Sequence, residues 1–185
     1  MKQILYIKNM VCDRCKSTVL RELDLLGYDI KSVELGQIIL NKNATINHIK
    51  LEEVLKKHGF EIIKDETEVL IEEIKISLIK KIGNQDNANL SSFLTKRFNK
   101  SYSTISKLFS KTEGMTIEKY EINLKIEKVK ELIQLAQLNF SQIAYSLDYN
   151  NSSHLASQFK NSTGMSMTEF KRLKDWDRKT LDRII

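Results

Sequence analysis

Proline is absent from the 185-residue chain, where average usage would place about nine. No fold that depends on a cis-proline is open to it, nor a polyproline linker or a PxxP ligand. Cysteine is almost absent as well. The two present, Cys12 and Cys15, cannot staple a small secreted scaffold. No apolar run approaches the roughly 18 residues of a membrane-spanning helix, so no membrane partner is expected. The opening residues, MKQILYIKN, lack the apolar stretch of about 7–15 residues that marks a secretory signal. The expectation is a cytoplasmic protein. With three histidines, no Gly-rich phosphate loop and no Ser/His/Asp constellation, nothing is present to carry catalysis, and an enzyme is not expected.

What is present is a mild excess of positive charge, unevenly spread. The 30 Lys+Arg and 24 Asp+Glu give +6 overall. Residues 1–66 hold 11 and 10 of them, so +1, and residues 67–185 hold 19 and 14, so +5. The basic excess lies in the C-terminal part, which points weakly to a polyanionic partner.

The first 66 residues alternate in type. Gln3 to Lys8 reads as a strand. Val19, Leu20, Leu23 and Leu26 give a helical period from Cys15 onward, stopped at Gly27. Ile30 to Leu35 and Gln37 to Leu40 are two strands turning at Gly36. Ile46, Ile49, Leu51, Val54 and Leu55 suggest a second helix ending at Gly59, and Phe60 to Ile63 a last strand. The order strand, helix, strand, strand, helix, strand is the ferredoxin-like split βαβ arrangement, an α+β domain with two helices on one face of an antiparallel sheet. Lys64 to Thr67 is the expected domain boundary. Beyond it the pattern is all-α. Leu70, Ile71, Ile74, Leu78 and Ile82 form an amphipathic stripe ending at Gly83, and a polar loop follows.

The C-terminal half contains a repeat. Phe109, Gly114, Met115 and Tyr120 recur as Phe159, Gly164, Met165 and Phe170, each displaced by 50 residues, and Ile105 pairs with Leu155. A period of this size marks a duplicated supersecondary unit. In each unit two short helices flank a polar break, which is a helix-turn-helix. The units fall at about 90–111 and 141–161, joined by a helix over about 116–137. That helix would span roughly 30 Å, close to one turn of B-DNA at about 34 Å.

These residues resemble the DNA-binding domain of the AraC/XylS family of transcription regulators. The resemblance rests on Ser101–Phe109, Gly114–Met115, Lys125–Ile133, Ile143–Ala144 and His154–Lys160 before Gly164–Met165, and it covers somewhat over half the chain. It implies a double helix-turn-helix domain over 67–185 that binds double-stranded DNA in the major groove. Two positions depart from the family. Its usual Gly-Phe turn is Asp148-Tyr149 here, and the proline common after Gly-Met-Ser is Met167. With Ile105, Leu108 and Phe109 inward on the first recognition helix, Tyr102, Ser103, Ser106 and Lys107 are left outward. The resemblance implies that the last three read bases. On the second helix Leu155 and Phe159 face inward. Ser152, Ser153, His154, Ala156 and Ser157 face outward, with Lys160 near a phosphate. Lys107 reaches guanine in principle, and the serines several base edges or phosphates. The second helix has no arginine for a bidentate guanine contact, so it is expected to position more than it reads. Trp176 reads as a packing residue near a helix end.

Met10-Val-Cys12-Asp-Arg-Cys15 lies between the first strand and first helix. A helix N-terminus lowers thiol pKa values, and two thiolates three residues apart can share one metal ion. A pair alone suits Cu(I), whereas zinc asks for four ligands, which only His48, His58 or a second subunit could complete. A redox dithiol is the competing reading. Residues 1–66 are similar to the heavy-metal-associated domain of copper chaperones and metal-transporting ATPases, through Met10, Cys12, Cys15, Val19, Leu23 and His58-Gly59-Phe60. The family usually has Gly before the Met, where Asn9 stands. The similarity implies metal binding at Cys12 and Cys15 with Phe60 beside it. Relatives that keep such a fold for dimerisation make a homodimer a further candidate state. Two functional classes follow: an AraC-type regulator with an N-terminal sensor, or a metal- or thiol-handling protein whose helical half is an interaction module.

Overall fold

The computed structural model describes residues 3–41, 47–86, 88–173, 178–179 and 184. The chain forms two compact units, Met1–Ser77 and Leu78–Ile185.

The first unit contains β1 (Gln3–Lys8), α1 (Asp13–Leu25), β2 (Ile30–Glu34), β3 (Gln37–Leu40), α2 (His48–Lys57) and β4 (Glu61–Ile63). The strands form one antiparallel sheet in the order β2-β3-β1-β4, with Leu5 opposite Ile38 and Tyr6 opposite Ile63. This is the split βαβ topology expected from the element order. Period-two alternation sends Leu5, Ile7, Ile38 and Leu40 to one face, where Val19 and Leu23 of α1 and Leu51 and Leu55 of α2 close over them. Each such side chain contributes about 1.5–3 kcal/mol by leaving water.

Two expected core residues lie outside that stripe. Leu20 is 43% and Ile49 74% exposed. Leu20 sits one residue, about 100°, round the helix from buried Val19, and Ile49 about 200° from Leu51. Ile46 falls outside the described residues. The turn at Gly36 has φ +75°, and a Cβ there would run into Ile76 Cδ1, so glycine is required twice over.

Helix α3 (Glu66–Gly83) follows. Asp65 Oδ1 accepts from the backbone N–H groups of Thr67 and Glu68, which places its start at the polar boundary read in the sequence. The first unit nevertheless continues to Ser77. The early turns of α3 pack on it: Asn9 N–H donates to Glu72 Oε1 at 3.0 Å, and Ile76 lies against Gly36.

The second unit continues with α4 (Leu90–Phe98), α5 (Tyr102–Glu113), α6 (Ile117–Leu135), α7 (Phe140–Ser146), α8 (Ser152–Thr163) and α9 (Met167–Lys171). No strand is present in it among the described residues. The 50-residue repeat is realised in the packing. Ile105, Phe109, Ile117 and Tyr120 are buried, as are Leu155, Phe159, Met167 and Phe170. Phe109 meets Tyr120 at 5.4 Å between ring centroids, and Phe159 meets Phe170 at 5.5 Å. The short helix α9 is therefore the counterpart of the first turns of α6. Met167 is its first residue, capped by Ser166, a position where proline is favoured because the N–H has no helical partner. Here a buried methionine fills the slot taken by Ile117 in the first copy. Trp176 lies outside the described residues.

Candidate nucleic-acid interface and dithiol loop

Both recognition helices start from a side-chain cap. Ser101 Oγ accepts from Thr104 N–H at 3.2 Å, and Asn151 Oδ1 from His154 N–H at 2.8 Å. Before each, the chain turns through the left-handed region, at Asn99 (φ 49°) and Asp148 (φ 62°). Asp148 therefore occupies the conformation that glycine would take, one that short polar side chains tolerate best after glycine. The two tight turns set α5 against α4 and α8 against α7.

The burial of the two helices repeats position by position from the cap to Phe109 and Phe159. Ile105 and Phe109 are buried, as are Leu155 and Phe159. Ser103 and Lys107 on α5, and Ser153, His154, Ser157 and Lys160 on α8, are exposed. Ser106, Ser152 and Ala156 are half-buried, and so is Leu108, expected inside. Tyr102 is half-buried too, and its hydroxyl donates to the carboxylate of Glu118 in the first turn of α6. Burial and that carboxylate push the Tyr102 phenol well above its ordinary value, while the hydroxyl holds Glu118 below the usual carboxylate range. His154 stands edge-on to Tyr149 at 5.4 Å, and Lys125 Nζ lies 5.5 Å from the Tyr149 ring centroid. Tyr149 is buried, its hydroxyl has no hydrogen-bond partner among the described residues, and burial pushes it up to about 12.

Sequence reasoning assigned no capping or positioning role to Glu118, Lys125, Ser101 or Asn151. A Ser or Asn just before an apolar helical period would have located the caps. The two partners on α6 left no local signal. Exposed Lys100 and Lys111 were likewise given no role as DNA contacts.

Comparison with known proteins bears on this half of the chain. Residues 94–173 match the helix-turn-helix domain family. The matched stretch runs from within α4 through α9 and so contains both recognition helices. The Msm operon regulatory protein of Streptococcus mutans is 25% identical over 79 residues, which is 43% of this chain and 28% of that protein. The matched part thus spans little more than a quarter of that relative. Among solved structures, the C-terminal domain of AraT, a response regulator from Geobacillus stearothermophilus, superposes with a TM-score of 0.53 at 17% identity. That alignment covers 63% of this chain and 94% of the other. The helix-turn-helix fold of the second unit is thereby established. No helix among the described residues is long and apolar enough to cross a membrane.

The cysteines lie on the first unit. Cys12 is the N-cap residue of α1, which begins two residues earlier than the periodicity suggested. The Sγ atoms of Cys12 and Cys15 are 3.2 Å apart. Contrary to the expectation from the helix N-terminus, Cys15 is held above the ordinary thiol value. Burial is the main cause, with the hydrogen bond to Cys12 adding to it. Desolvation outweighs the backbone hydrogen bonds that pull the other way. The loop is pinned by Asn9, which sits at φ 69°. Its Nδ2 donates to Gly59 O at 3.0 Å, which holds the Gly59-Phe60 loop against the cysteine loop. Met10 and Phe60 are buried beneath.

The donor set can be tested for fit. Zinc–thiolate bonds of about 2.3 Å at a tetrahedral angle put two sulfurs about 3.8 Å apart, a small rotamer change from the observed pair. Among the described residues, however, no group of three or more His, Cys, Asp or Glu is placed to share an ion. His58 Nε2 is instead 3.3 Å from Glu22 Oε1. Two thiolates are the donor class that a soft ion prefers, and the pair does not by itself supply the four ligands of zinc.

Proposed function

We propose that this chain is a sequence-specific, non-enzymatic DNA-binding transcription regulator of the AraC type. The observation that carries the reading is the duplicated helix-turn-helix, whose copies bury the same positions and leave the same positions exposed. The copies flank α6, which at 19 residues is roughly 28 Å long. That suits two recognition helices entering successive major-groove turns of one duplex.

In this reading Ser103, Ser106 and Lys107 of α5 read base edges, Lys107 toward guanine. Lys100, Lys111 and Lys160 neutralise phosphates, and Ser152, Ser153, His154 and Ser157 fix the register of α8. Tyr102, engaged by Glu118, supports α5 rather than touching DNA. The first helix discriminates and the second positions, because only α5 presents a cation at the centre of its outward face. The test is anisotropy titration of the full chain against a duplex obtained by in vitro selection and against a scrambled one. A preference for the selected duplex and a steep fall with salt are expected. Equal affinity for the two duplexes refutes the reading.

The signal we assign to the first unit is a soft metal ion, Cu(I), held by the Cys12 and Cys15 thiolates, with the thiol pair itself as the alternative input. The proximity of the two sulfurs supports this. Stoichiometric Cu(I) uptake lost in Cys12→Ser is expected. Uptake unchanged by that substitution refutes it.

A further inference from the structure

Three residues on one face of α6 each hold a different part of the second unit. Glu118 accepts from the Tyr102 hydroxyl at the first residue of α5. Glu121 accepts from Lys81 Nζ at 3.4 Å, in the last turn of α3. Lys125 lies over the ring of Tyr149 in the turn before α8, and that ring in turn abuts His154. The spacings are three and four residues, so the three side chains align along one stripe of the helix. Lys81 is buried, so its ion pair is fixed rather than a flexible surface contact. The 50-residue repeat does not reproduce the stripe: the positions matching Tyr102 and Glu118 are Ser152 and Thr168. The second recognition helix is held by the Tyr149 ring instead.

We propose that Glu118, Glu121 and Lys125 form a positioning stripe that fixes α5 and α8 relative to each other, with Lys81 joining the end of α3 to its middle. This rests on the DNA-reading function proposed above and names the residues that set the geometry of that site. The apolar repeat fastens each recognition helix to its own unit. The stripe gives both helices a common reference on a single rigid rod.

The test uses the full chain in a Cys12→Ser, Cys15→Ser background, spin-labelled at Lys111→Cys on α5 and Lys160→Cys on α8. Pulsed dipolar spectroscopy without DNA should give one narrow distance distribution. Tyr102→Phe and Lys125→Met, which leave the apolar cores intact, should each broaden it, whereas Glu118→Gln, which keeps an acceptor for Tyr102, should leave it nearly as narrow as in the parent. On DNA, in the unlabelled chain, Tyr102→Phe should lose about tenfold in affinity for the selected duplex, the scale of one hydrogen bond to a charged group. Its affinity for scrambled DNA should stay within about twofold, since phosphate contacts are untouched. Unchanged distance distributions in both variants overturn the proposal, as does an equal loss on both duplexes. A parent chain with no preference between duplexes refutes the regulator reading instead, and the distance measurement still decides the stripe.

Discussion

Removing one ring should release one recognition helix and leave the other in place. Helix α8 has 12 residues, and its buried members are Leu155 and Phe159. A helix this short is marginal in water without tertiary contacts. Phe159 is fully buried and edge-on to Phe170. Truncating such a phenylalanine to alanine costs about 3–5 kcal/mol, of which the aromatic contact supplies about 0.5–1.5 kcal/mol. At about 1.4 kcal/mol per tenfold, local opening of α8 should become more frequent by two to three orders of magnitude or more. Helix α5 is held by its own Ile105 and Phe109, with Phe109 on Tyr120, and should keep its protection. Hydrogen exchange read on peptides from 102–113 and 152–163 measures both helices in one experiment. In Phe159→Ala the second peptide should lose protection alone, and in Phe109→Ala the first. Equal loss in both peptides after either substitution would refute the idea that the duplicated units are separately anchored.

Three further outcomes follow from particular contacts. Tyr149→Phe deletes a buried hydroxyl that has no partner among the described residues and keeps the ring, so thermal unfolding should be unchanged or raised by up to about 1 kcal/mol in stability. Tyr149→Ala should lower it. Glu118 is held below the usual carboxylate range by the Tyr102 hydroxyl, so the stability this bond adds is present above the ordinary glutamate value of about 4.3 and is lost as pH falls through the depressed one. The melting difference between the parent and Tyr102→Phe should be constant near neutrality and vanish in acid. Cys15 is raised partly by its hydrogen bond to Cys12, so Cys12→Ser should shift the pH profile of Cys15 alkylation downward. An upward shift would contradict the geometry of the pair.

Most of the fold was legible because its signals are local and redundant. Glycine stops, period-two strands and a repeat of five landmark pairs at one offset all agree, and such agreement across levels is what specifies a structure. Isolated apolar residues were misjudged where period alone was used: Leu20 and Ile49 are apolar but fall off the buried stripe. Asn9 and Asp148 both adopt positive φ, a conformation that these short polar residues tolerate best after glycine. The candidate interface was half legible. Outward serines and Lys107 follow from helical geometry once Ile105 and Phe109 are known to be inside. The engagement of Tyr102 by Glu118 could not be read, because it depends on how α6 leaves α5, a tertiary fact with no periodic signature. The thiol environment was misread for a similar reason. The helix end was visible in the sequence, but the burial that raises Cys15 was not.

The two helix-turn-helix units engage one duplex, the first reading it and the second positioning it. Anisotropy of the full chain on a selected duplex, between about 50 and 200 mM salt, tests this most directly. The log of affinity should fall linearly with log salt at about 0.9 per neutralised phosphate. The selected duplex should keep an advantage of about 10³-fold or more over scrambled DNA. A flat salt response, or equal affinity for the two duplexes, would contradict the account.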